Sequence, residues 1–392
     1  MKKIVTIGGG TGQFNLLCAL RDIIGIKISA VVSMVDSGGS TGRLRDELGV
    51  LPPGDILKCI LALSADREAA RKILQKRFNS NSRLSGHSVG NLLLTILSQY
   101  AGNFPEGVKA LGEALDIKGN VLPVTIDKAT LVAELTDGSF LYGETAIDIP
   151  RGGQRERIKT AFLVPHHSDQ VKVYPPVQDA IKNADLIIIG PGDLFTSTIP
   201  NFLVPGVKEA LHNSLAEILF VVNIMTKFGE TDNFGVKDFV ERIEEFIGKK
   251  VNKVLVNSQK PENEVLEKYK EQKAKFIEVD LGAEWAGRKI IAKDLIDLGG
   301  EIIRHNPEKL KEEARAMALE QAKAKAGSLS DIVGVKLGKI ISFSESSTDG
   351  APIPMYSLNK MSEGVGGGGA APSVEAGSNE ITVFATVQYE IL

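Results

Sequence analysis

The sequence predicts an α/β protein whose main domain is doubly wound and three-layered. Up to about Arg304, short apolar runs alternate with helical patterns. Several of these runs are continuously apolar, as is typical of strands buried on both faces of a parallel sheet. Each run ends in Gly, Pro or Asn and leads towards a helix. This alternation of strand and helix predicts a mostly parallel sheet covered by helices on both faces.

The predicted strands and helices follow one another along the chain. The strand Lys3–Ile7 precedes a helix over Phe14–Arg21, and the strand Ile28–Val35 is followed by a helix over Asp55–Ser64. Both helices carry apolar residues at helical spacing, which predicts one buried face each. The further continuous strands are Ala184–Ile189, Ile218–Ile224 and Lys253–Asn257.

The middle of this domain departs from the alternation. Val121–Ile126 and Leu131–Leu135 have the alternating pattern of shorter strands, and Gly138–Ile147 is a candidate for a third. We therefore expect a small antiparallel β insertion or sheet edge over about 121–175.

The composition changes after Asn306-Pro307, so we divide the chain into a domain over 1–308 and a smaller α+β segment over 309–392. The sequence of this smaller segment predicts an alanine-rich helix, then a strand, and then a flexible loop rich in Gly, Pro and Ser. It ends in an alternating strand, which needs a pairing partner because an exposed apolar edge invites aggregation. These four elements are Lys309–Ala326, Lys336–Ser344, residues 346–377 and Glu380–Leu392.

Composition limits the classes of function. The chain has 392 residues and a formal net charge of −3, without a basic cluster that would indicate nucleic-acid binding. No run reaches the ~18 apolar residues of a membrane span. The apolar start of the chain breaks at three glycines, so it predicts a first strand rather than a signal peptide. Cys18 and Cys59 indicate buried thiols, and we expect a cytoplasmic protein.

Two glycine-rich turns predict a phosphate site. Gly8–Gly12 follows the first strand, where bare backbone N–H groups and a helix N-terminus favour an anion. It matches neither the dinucleotide fingerprint nor the Walker loop, and a turn that merely relieves crowding remains the alternative. The second turn contains an acid, Asp36, then three hydroxyls, three glycines and two arginines. The alternative for this turn is an Asx-type turn with solvated arginines.

Two later positions are candidates for catalysis together with Asp36. Asp55 is placed to cap a helix beginning at Ile56, or else to bind a metal ion or a substrate hydroxyl. His87 precedes an apolar helix and is either an acid–base group or a histidine bonded to backbone at the start of that helix. The catalytic residues therefore remain unknown, with Asp36, Asp55 and His87 as candidates.

Further turns follow the later strands, and all lie at the carboxyl edge where open α/β sheets bind ligands. Gly190–Thr198 repeats the pattern of a strand, a glycine turn and hydroxyls, and Asn223 and Lys227 follow the next strand. A lone lysine is also compatible with a solvated surface position. The candidate ligand-binding residues are Gly9, Gly10, Thr11, Gly12, Asp36, Ser37, Gly38, Gly39, Ser40, Arg43, Asn91, Gly190, Pro191, Gly192, Asp193, Thr196, Asn223 and Lys227.

These motifs, in this order over about 1–310, resemble the YvcK group of gluconeogenesis factors, which is related to the 2-phospho-lactate transferase CofD. The resemblance implies a cytoplasmic bacterial protein with a Rossmann-like domain. It implies a nucleotide-type ligand, such as a dinucleotide or the nucleotide sugar UDP-N-acetylglucosamine. It also implies a regulatory role that links growth on gluconeogenic carbon to cell-wall synthesis and cell shape.

One position departs from the family. The family usually has two adjacent acids where this chain has Asp36-Ser37, and in the CofD transferases such acids are linked to magnesium and phosphoryl chemistry. A single carboxylate at Asp36 is a weaker Mg²⁺ site. We therefore favour a binding or regulatory protein. The alternative is a Mg²⁺-dependent transferase of a phospho-lactyl type group, in which Asp36 holds the metal.

The tail over about 310–392 resembles the C-terminal half of a SIMPL-type domain. The resemblance rests on Ala322–Ala326, Gly334–Ile340 and the final strand. We expect this tail to pair with the main domain or with another chain, as a homo-oligomer or with a protein partner.

Overall fold

A computed structural model describes residues 1–23, 25–79, 84–150, 155–297, 302–314, 316, 337–348 and 382–391. The chain divides into two compact units, Met1–Met317 and Ala318–Leu392. Within the described ranges, no helix has the length and apolar character needed to cross a membrane.

The first unit is a mixed α/β structure. Its strands are β1 (Lys2–Gly8), β2 (Ile26–Val32), β3 (Asn120–Pro123), β4 (Ala129–Leu135), β5 (Phe140–Tyr142), β6 (Ile158–Pro165), β7 (Leu186–Ile189), β8 (Glu217–Val221), β9 (Lys253–Asn257), β10 (Glu284–Trp285), β11 (Arg288–Lys293), β12 (Ile296–Asp297) and β13 (Arg304–His305). Its helices are α1 (Gly10–Leu20), α2 (Gly39–Leu48), α3 (Gly54–Leu63), α4 (Arg67–Leu74), α5 (Val89–Tyr100), α6 (Phe104–Ala114), α7 (Glu144–Asp148), α8 (Pro175–Lys182), α9 (Val207–Asn213), α10 (Val236–Ile247) and α11 (Asn263–Glu271). A π-helical turn, Leu194–Thr198, and a 3₁₀ turn, Ile199–Asn201, follow β7.

The main sheet has eight strands in the order β10-β11-β9-β8-β7-β1-β2-β3. All neighbouring strands are parallel except β10, which is antiparallel to β11. The residues Ile4, Val5 and Ile7 of β1 are buried, as a strand covered on both faces requires. The predicted doubly wound α/β fold is therefore confirmed.

The winding direction of the sheet reverses next to β1. From β1 the chain adds β2 and β3 on one side, and it later returns to place β7, β8 and β9 on the other side. The crevice between β1 and β7 is a topological switch point, where open α/β sheets form ligand sites.

The insertion differs in part from its prediction. β3 belongs to the edge of the main sheet, and the separate antiparallel sheet, ordered β5-β4-β6, begins only at Ala129. The prediction of a third strand over Gly138–Ile147 is wrong beyond Tyr142, where β5 ends. There Gly143, at φ +89°, ends β5 and the helix α7 follows.

Two glycine-rich segments are helical where the sequence analysis expects turns. α1 begins at Gly10 instead of Phe14, and α2 covers a stretch that the sequence analysis treats as a phosphate-binding turn. In both helices, small residues in the first turn allow close approach to neighbouring backbone. A Cβ atom on Gly42, for example, would overlap the carbonyl oxygen of Ser37.

The second unit contains a long antiparallel pair. β14 (Leu337–Thr348) pairs with β15 (Thr382–Ile391), with Phe343 opposite Val387. The final strand thus has the partner that its pattern requires. β14 extends three residues into the predicted loop over 346–377, and the rest of that loop lies outside the described residues. The predicted helix over 309–326 is described only at residues 309–314 and 316, which are helical, and the helical stretch already begins at residue 307.

A buried ion pair fixes the far edge of the main sheet. Arg288 Nε donates to Glu244 Oε1 at 2.6 Å, and its Nη2 donates to the other carboxylate oxygen. The side chains are 6% and 13% exposed. The Arg288 guanidinium also lies 4.6 Å from the centre of the Trp285 ring. This bidentate pair joins α10 to β11.

We therefore predict that Glu244→Ala lowers the free energy of unfolding by about 3 kcal/mol, because it leaves a buried guanidinium without its partner. Glu113→Ala is the matched control, since the Glu113–Lys109 pair is about 70% exposed. The control is expected to change stability by less than about 0.5 kcal/mol. Urea denaturation followed by far-UV circular dichroism measures both, and equal losses would contradict the prediction.

Candidate functional site

Two glycine turns interlock at the switch point. α1 starts directly after β1, and the turn Gly190–Gly192 follows β7. A Cβ atom on Gly12 would overlap the carbonyl oxygen of Pro191, so the first turn of α1 lies against the second turn. The Asn201 amide donates to the Gly8 carbonyl at 3.1 Å and ties the 3₁₀ turn to the end of β1. The two backbones can approach so closely only because position 12 is glycine.

A cavity of about 630 Å³ opens at this point, a size typical of small-ligand sites. The glycine turns, the loop after β8 and the short strand β13 form its walls. The predicted ligand-binding residues that line it are Gly9, Gly10, Thr11, Gly12, Pro191, Gly192, Asp193, Asn223 and Lys227.

Asp55 stabilises the first turn of α1 and does not cap its own helix. α3 begins at Gly54, without a side-chain cap, so the predicted capping role at Ile56 is wrong. Asp55 Oδ2 instead accepts the N–H of Gly10 at 2.9 Å, and Oδ1 lies 2.9 Å from Lys58 Nζ. Its negative charge thus lies at the positive N-terminal end of α1.

Asp36 forms the Asx-type turn that the sequence analysis left open as an alternative. Its Oδ1 accepts the N–H of Gly38 at 2.9 Å, and the Thr41 hydroxyl also bonds to the carboxylate. Burial raises the pKa of Asp36, and the nearby negative charge of Asp55 raises it further. The turn leads directly into α2, outside the wall of the cavity.

His87 belongs to a buried polar network. Its Nδ1 lies 2.9 Å from Ser40 Oγ, and the Asn91 amide donates to the same hydroxyl at 3.0 Å. All three residues are buried, and they join the start of α5 to α2. Arg43 Nη2 donates to the Ser85 carbonyl at 2.8 Å. The predicted ligand-binding residues that do not line the cavity are Asp36, Ser37, Gly38, Gly39, Ser40, Arg43, Asn91, Gly190 and Thr196.

Lys227 is held by three carboxylates. Its ammonium pairs with Asp148, lies 2.8 Å from Asp193 Oδ2 and 2.9 Å from Glu230 Oε1. These contacts raise the pKa of Lys227 and keep it charged. Burial raises the pKa of Glu230, while the charge of Lys227 opposes that rise. Oxygen atoms of the three acids lie within 4.8 Å of one another, a spacing that suits a cation.

Glu144 places a carboxylate beside Ser37, the position at which the sequence departs from the family. Glu144 Oε2 accepts the Ser37 N–H at 3.4 Å and its hydroxyl at 3.5 Å. Burial raises the pKa of Glu144 from 4.5 to about 7, and the charges of Asp36 and Asp148 add to the rise. A second acid therefore reaches this turn from α7, which is distant in sequence.

Many residues of the cavity wall were missed by the sequence analysis, among them Asn15, Asp148, Tyr269, Arg304 and His305. Asn15 was detectable, because it lies four residues after Thr11 on the same face of α1. Its side chain makes no hydrogen bond in the described part of the chain, although the residue is only 9% exposed. Burial lowers the pKa of His305 to about 4, so this histidine is neutral. Asp148, Tyr269 and Arg304 follow no local motif.

The chain belongs to the CofD family. Residues 4–296 match the family described as 2-phospho-L-lactate transferase CofD. Residues 247–389 match a second family, SIMPL, described as a protein of unknown function. This second match begins inside the main unit and not at about residue 310, where the sequence analysis placed the resemblance.

Within this family, the relatives carry the name gluconeogenesis factor. The gluconeogenesis factor of Bacillus subtilis is 37% identical over 310 residues, which are 79% of this chain and 95% of that protein. The one from Listeria monocytogenes is 36% identical over 324 residues, 82% of this chain and 98% of that protein. A crystal structure of a UPF0052 family member from Bacillus halodurans has a TM-score of 0.74 at 36% identity, covering 80% of this chain and 99% of that one.

The Lys227 ammonium is expected to stabilise the cluster of three carboxylates around it. Lys227→Met removes the cation from between three acids, so we expect a loss of about 3 kcal/mol in the free energy of unfolding. Because carboxylate oxygens are Mn²⁺ and Mg²⁺ ligands, either ion should raise the melting temperature of this variant more than that of the wild type. Lys237→Met, at an exposed pair with Glu241, is the control. Equal stability of the two variants in metal-free buffer would contradict the prediction.

A second prediction concerns pH. Between about pH 4.5 and 7, folded Glu144 holds a proton that the unfolded chain releases, so stability falls as the pH rises through this range. Glu144→Gln removes the titrating group but keeps an oxygen that accepts the Ser37 hydrogen bonds. We expect the variant to be more stable than the wild type at pH 8, with a smaller difference at pH 5. Denaturation at both pH values tests this, and a difference that does not vary with pH would contradict it.

Proposed function

We propose that this protein binds a nucleotide-type ligand, a nucleotide sugar or a dinucleotide, in the cavity at the switch point. We further propose that it acts in the cytoplasm as a regulatory protein that links carbon metabolism to cell-wall synthesis and cell shape. The observation that carries the proposal is the interlocked pair of glycine turns in the wall of a ligand-sized cavity. The regulatory role rests on the relatives named gluconeogenesis factor and on the family resemblance.

The glycine-turn wall suits phosphate. The N–H groups of Thr11 and Gly12 lie in the first turn of α1, where an amide has no carbonyl partner within the helix. The N–H of Gly10 already donates a hydrogen bond to the Asp55 carboxylate. The two remaining amides and the positive end of the helix therefore favour a phosphate at this wall.

The apolar part of the cavity lining suits a base or another flat group. It is built from apolar and aromatic side chains after β8 and around β13, including Met225, Phe228 and Ile302. The Tyr269 hydroxyl accepts the N–H of Ile303 at 2.7 Å, which fixes the tyrosine ring in this wall. Aromatic and aliphatic surfaces of this kind pack against the faces of bases.

The charge balance of the wall favours a ligand that carries hydroxyls as well as phosphate. The lining contains two acids, Asp148 and Asp193, and two cations, Lys227 and Arg304. Sugar hydroxyls can donate to the carboxylates, and the amide of Asn15 is available to both hydroxyl and phosphate. A nucleotide sugar matches this mixture better than a highly charged triphosphate does.

The alternative function is a Mg²⁺-dependent transferase of a phospho-lactyl type group, which the family description favours. Its metal would be held at Asp36. One oxygen of Asp36 already accepts the N–H of Gly38, and the carboxylate lies outside the cavity lining. Asp55 is likewise engaged, by Gly10 and Lys58. Because both carboxylates are already engaged by other groups of the protein, we favour binding that does not require magnesium.

Isothermal titration calorimetry with UDP-N-acetylglucosamine and with NAD, each in EDTA and in Mg²⁺, tests the proposal. We expect one of the two probes to bind without Mg²⁺. Asn15→Ala should weaken that binding roughly tenfold, because it removes one buried hydrogen-bonding group. Asn183→Ala, at the exposed end of α8, is the control and should leave the affinity unchanged.

Two results would count against the proposal. One is the absence of binding by either probe to the wild type. The other is binding that requires Mg²⁺ and is followed by conversion of the probe, observed by ³¹P NMR, with loss of conversion in Asp36→Ala. The second result would favour the transferase.

A further inference from the structure

The helix α7 lies across the carboxyl edge of the main sheet and is attached at both ends. We propose that α7 is a movable strap, closed in this structure, which must open for a ligand to enter or leave the cavity. The link to ligand exchange rests on the proposed function. The mobility of the strap is a property of the protein alone.

The first end of the strap is attached to the turn after β2. The Thr145 N–H donates to Ser37 Oγ at 3.1 Å, and the two hydroxyl oxygens also lie 3.1 Å apart. Glu144 accepts two longer hydrogen bonds from Ser37. Thr145 is exposed to solvent, so these contacts compete directly with water.

The second end is attached to the loop after β8. Asp148 pairs with the Lys227 ammonium, and the following residues Ile149 and Pro150 form part of the cavity wall. Arg155 Nη1 donates to the Ile147 carbonyl at 2.6 Å. Movement of this end would therefore remove one wall of the cavity.

The two attachment points follow β2 and β8, and β1 and β7 lie between these two strands in the sheet. With strands about 4.8 Å apart, the distance is roughly 14 Å. A helix of five residues is about 7.5 Å long, so the side chains of Glu144 and Asp148 bridge the remainder. α7 thus links the loop after β2 to the loop after β8, and its last residue and the two that follow line the cavity.

Little apolar packing holds α7 in place. Ile147 is its one buried side chain, and a helix of five residues has negligible stability alone. Segments with so few buried contacts open locally without unfolding of the whole domain. Gly143 precedes the helix at φ +89°, a conformation that glycine adopts readily, and provides a hinge.

The contacts of Lys227 allow α7 to detach by breaking only one of its three ion pairs. When Asp148 moves away, Asp193 and Glu230 still hold the ammonium at 2.8 Å and 2.9 Å. The strap can therefore detach without exposing a buried unpaired charge. The Asp148–Lys227 pair acts as a latch, whereas the other two pairs keep Lys227 in position.

Hydrogen exchange of the unliganded full-length protein, measured by mass spectrometry, tests the strap itself. We expect peptides covering residues 144–150 to exchange much faster than β4, which precedes α7 and is the central strand of the antiparallel sheet. Asp148→Asn weakens the latch and should accelerate this exchange by about three- to tenfold. The control is Asp185→Asn. It removes the charge of a carboxylate that accepts the Lys3 N–H at the amino edge of the sheet, opposite to α7. Exchange as slow as that of β4, unchanged in Asp148→Asn, would overturn the proposal.

A disulfide lock tests the link to the ligand. Ser37→Cys combined with Thr145→Cys places two thiols where the hydroxyl oxygens are 3.1 Å apart, and the native Cys18 and Cys59 are buried. With UDP-N-acetylglucosamine as the probe in surface plasmon resonance, oxidation should slow association and dissociation at least about tenfold, and dithiothreitol should restore both. Unchanged rates after oxidation would refute the gating role. If UDP-N-acetylglucosamine binds neither form, NAD replaces it as the probe; if neither probe binds, the proposed function loses its support, while hydrogen exchange still decides whether the strap moves.

Discussion

The contact between the backbone of Gly12 and the carbonyl of Pro191 is the constraint on which the rest of the site depends. It requires α1 to start immediately after β1, and it requires the turn after β7 to lie against that start. Both turns occur where the winding of the sheet reverses. The cavity therefore follows from the topology together with one position at which a side chain cannot be accommodated.

Charges around this constraint are arranged in opposing groups. Asp55 lies at the positive end of α1, and three carboxylates surround Lys227. The positive charge of Lys227 is therefore already paired within the protein and stabilises the cavity wall. The insertion supplies Asp148 and Glu144, so the antiparallel sheet has a direct connection to the site through α7. A wall with balanced charge is consistent with a ligand that combines phosphate with hydroxyls.

Local patterns in the sequence predicted the parts of the fold that depend on local physics. The bounds of β9 agree with the predicted strand, and β1 differs from its prediction by one residue at each end. α2 was missed because its glycines and hydroxyls have the composition of a loop. The environment of Lys227 was also missed. Its partner Asp148 is 79 residues away in the sequence, and such a pairing follows from topology and not from a motif.

The strands and glycine turns of the site can thus be predicted from local sequence, whereas the contacts between distant residues cannot. The central proposal concerns the position of the ligand. A crystal structure of the protein soaked with UDP-N-acetylglucosamine in EDTA is the most direct test. We predict phosphate oxygens about 3 Å from the amide nitrogens of Thr11 and Gly12, with no metal ion beside them. A ligand bound instead at the Asp36 turn, outside the cavity, would contradict it.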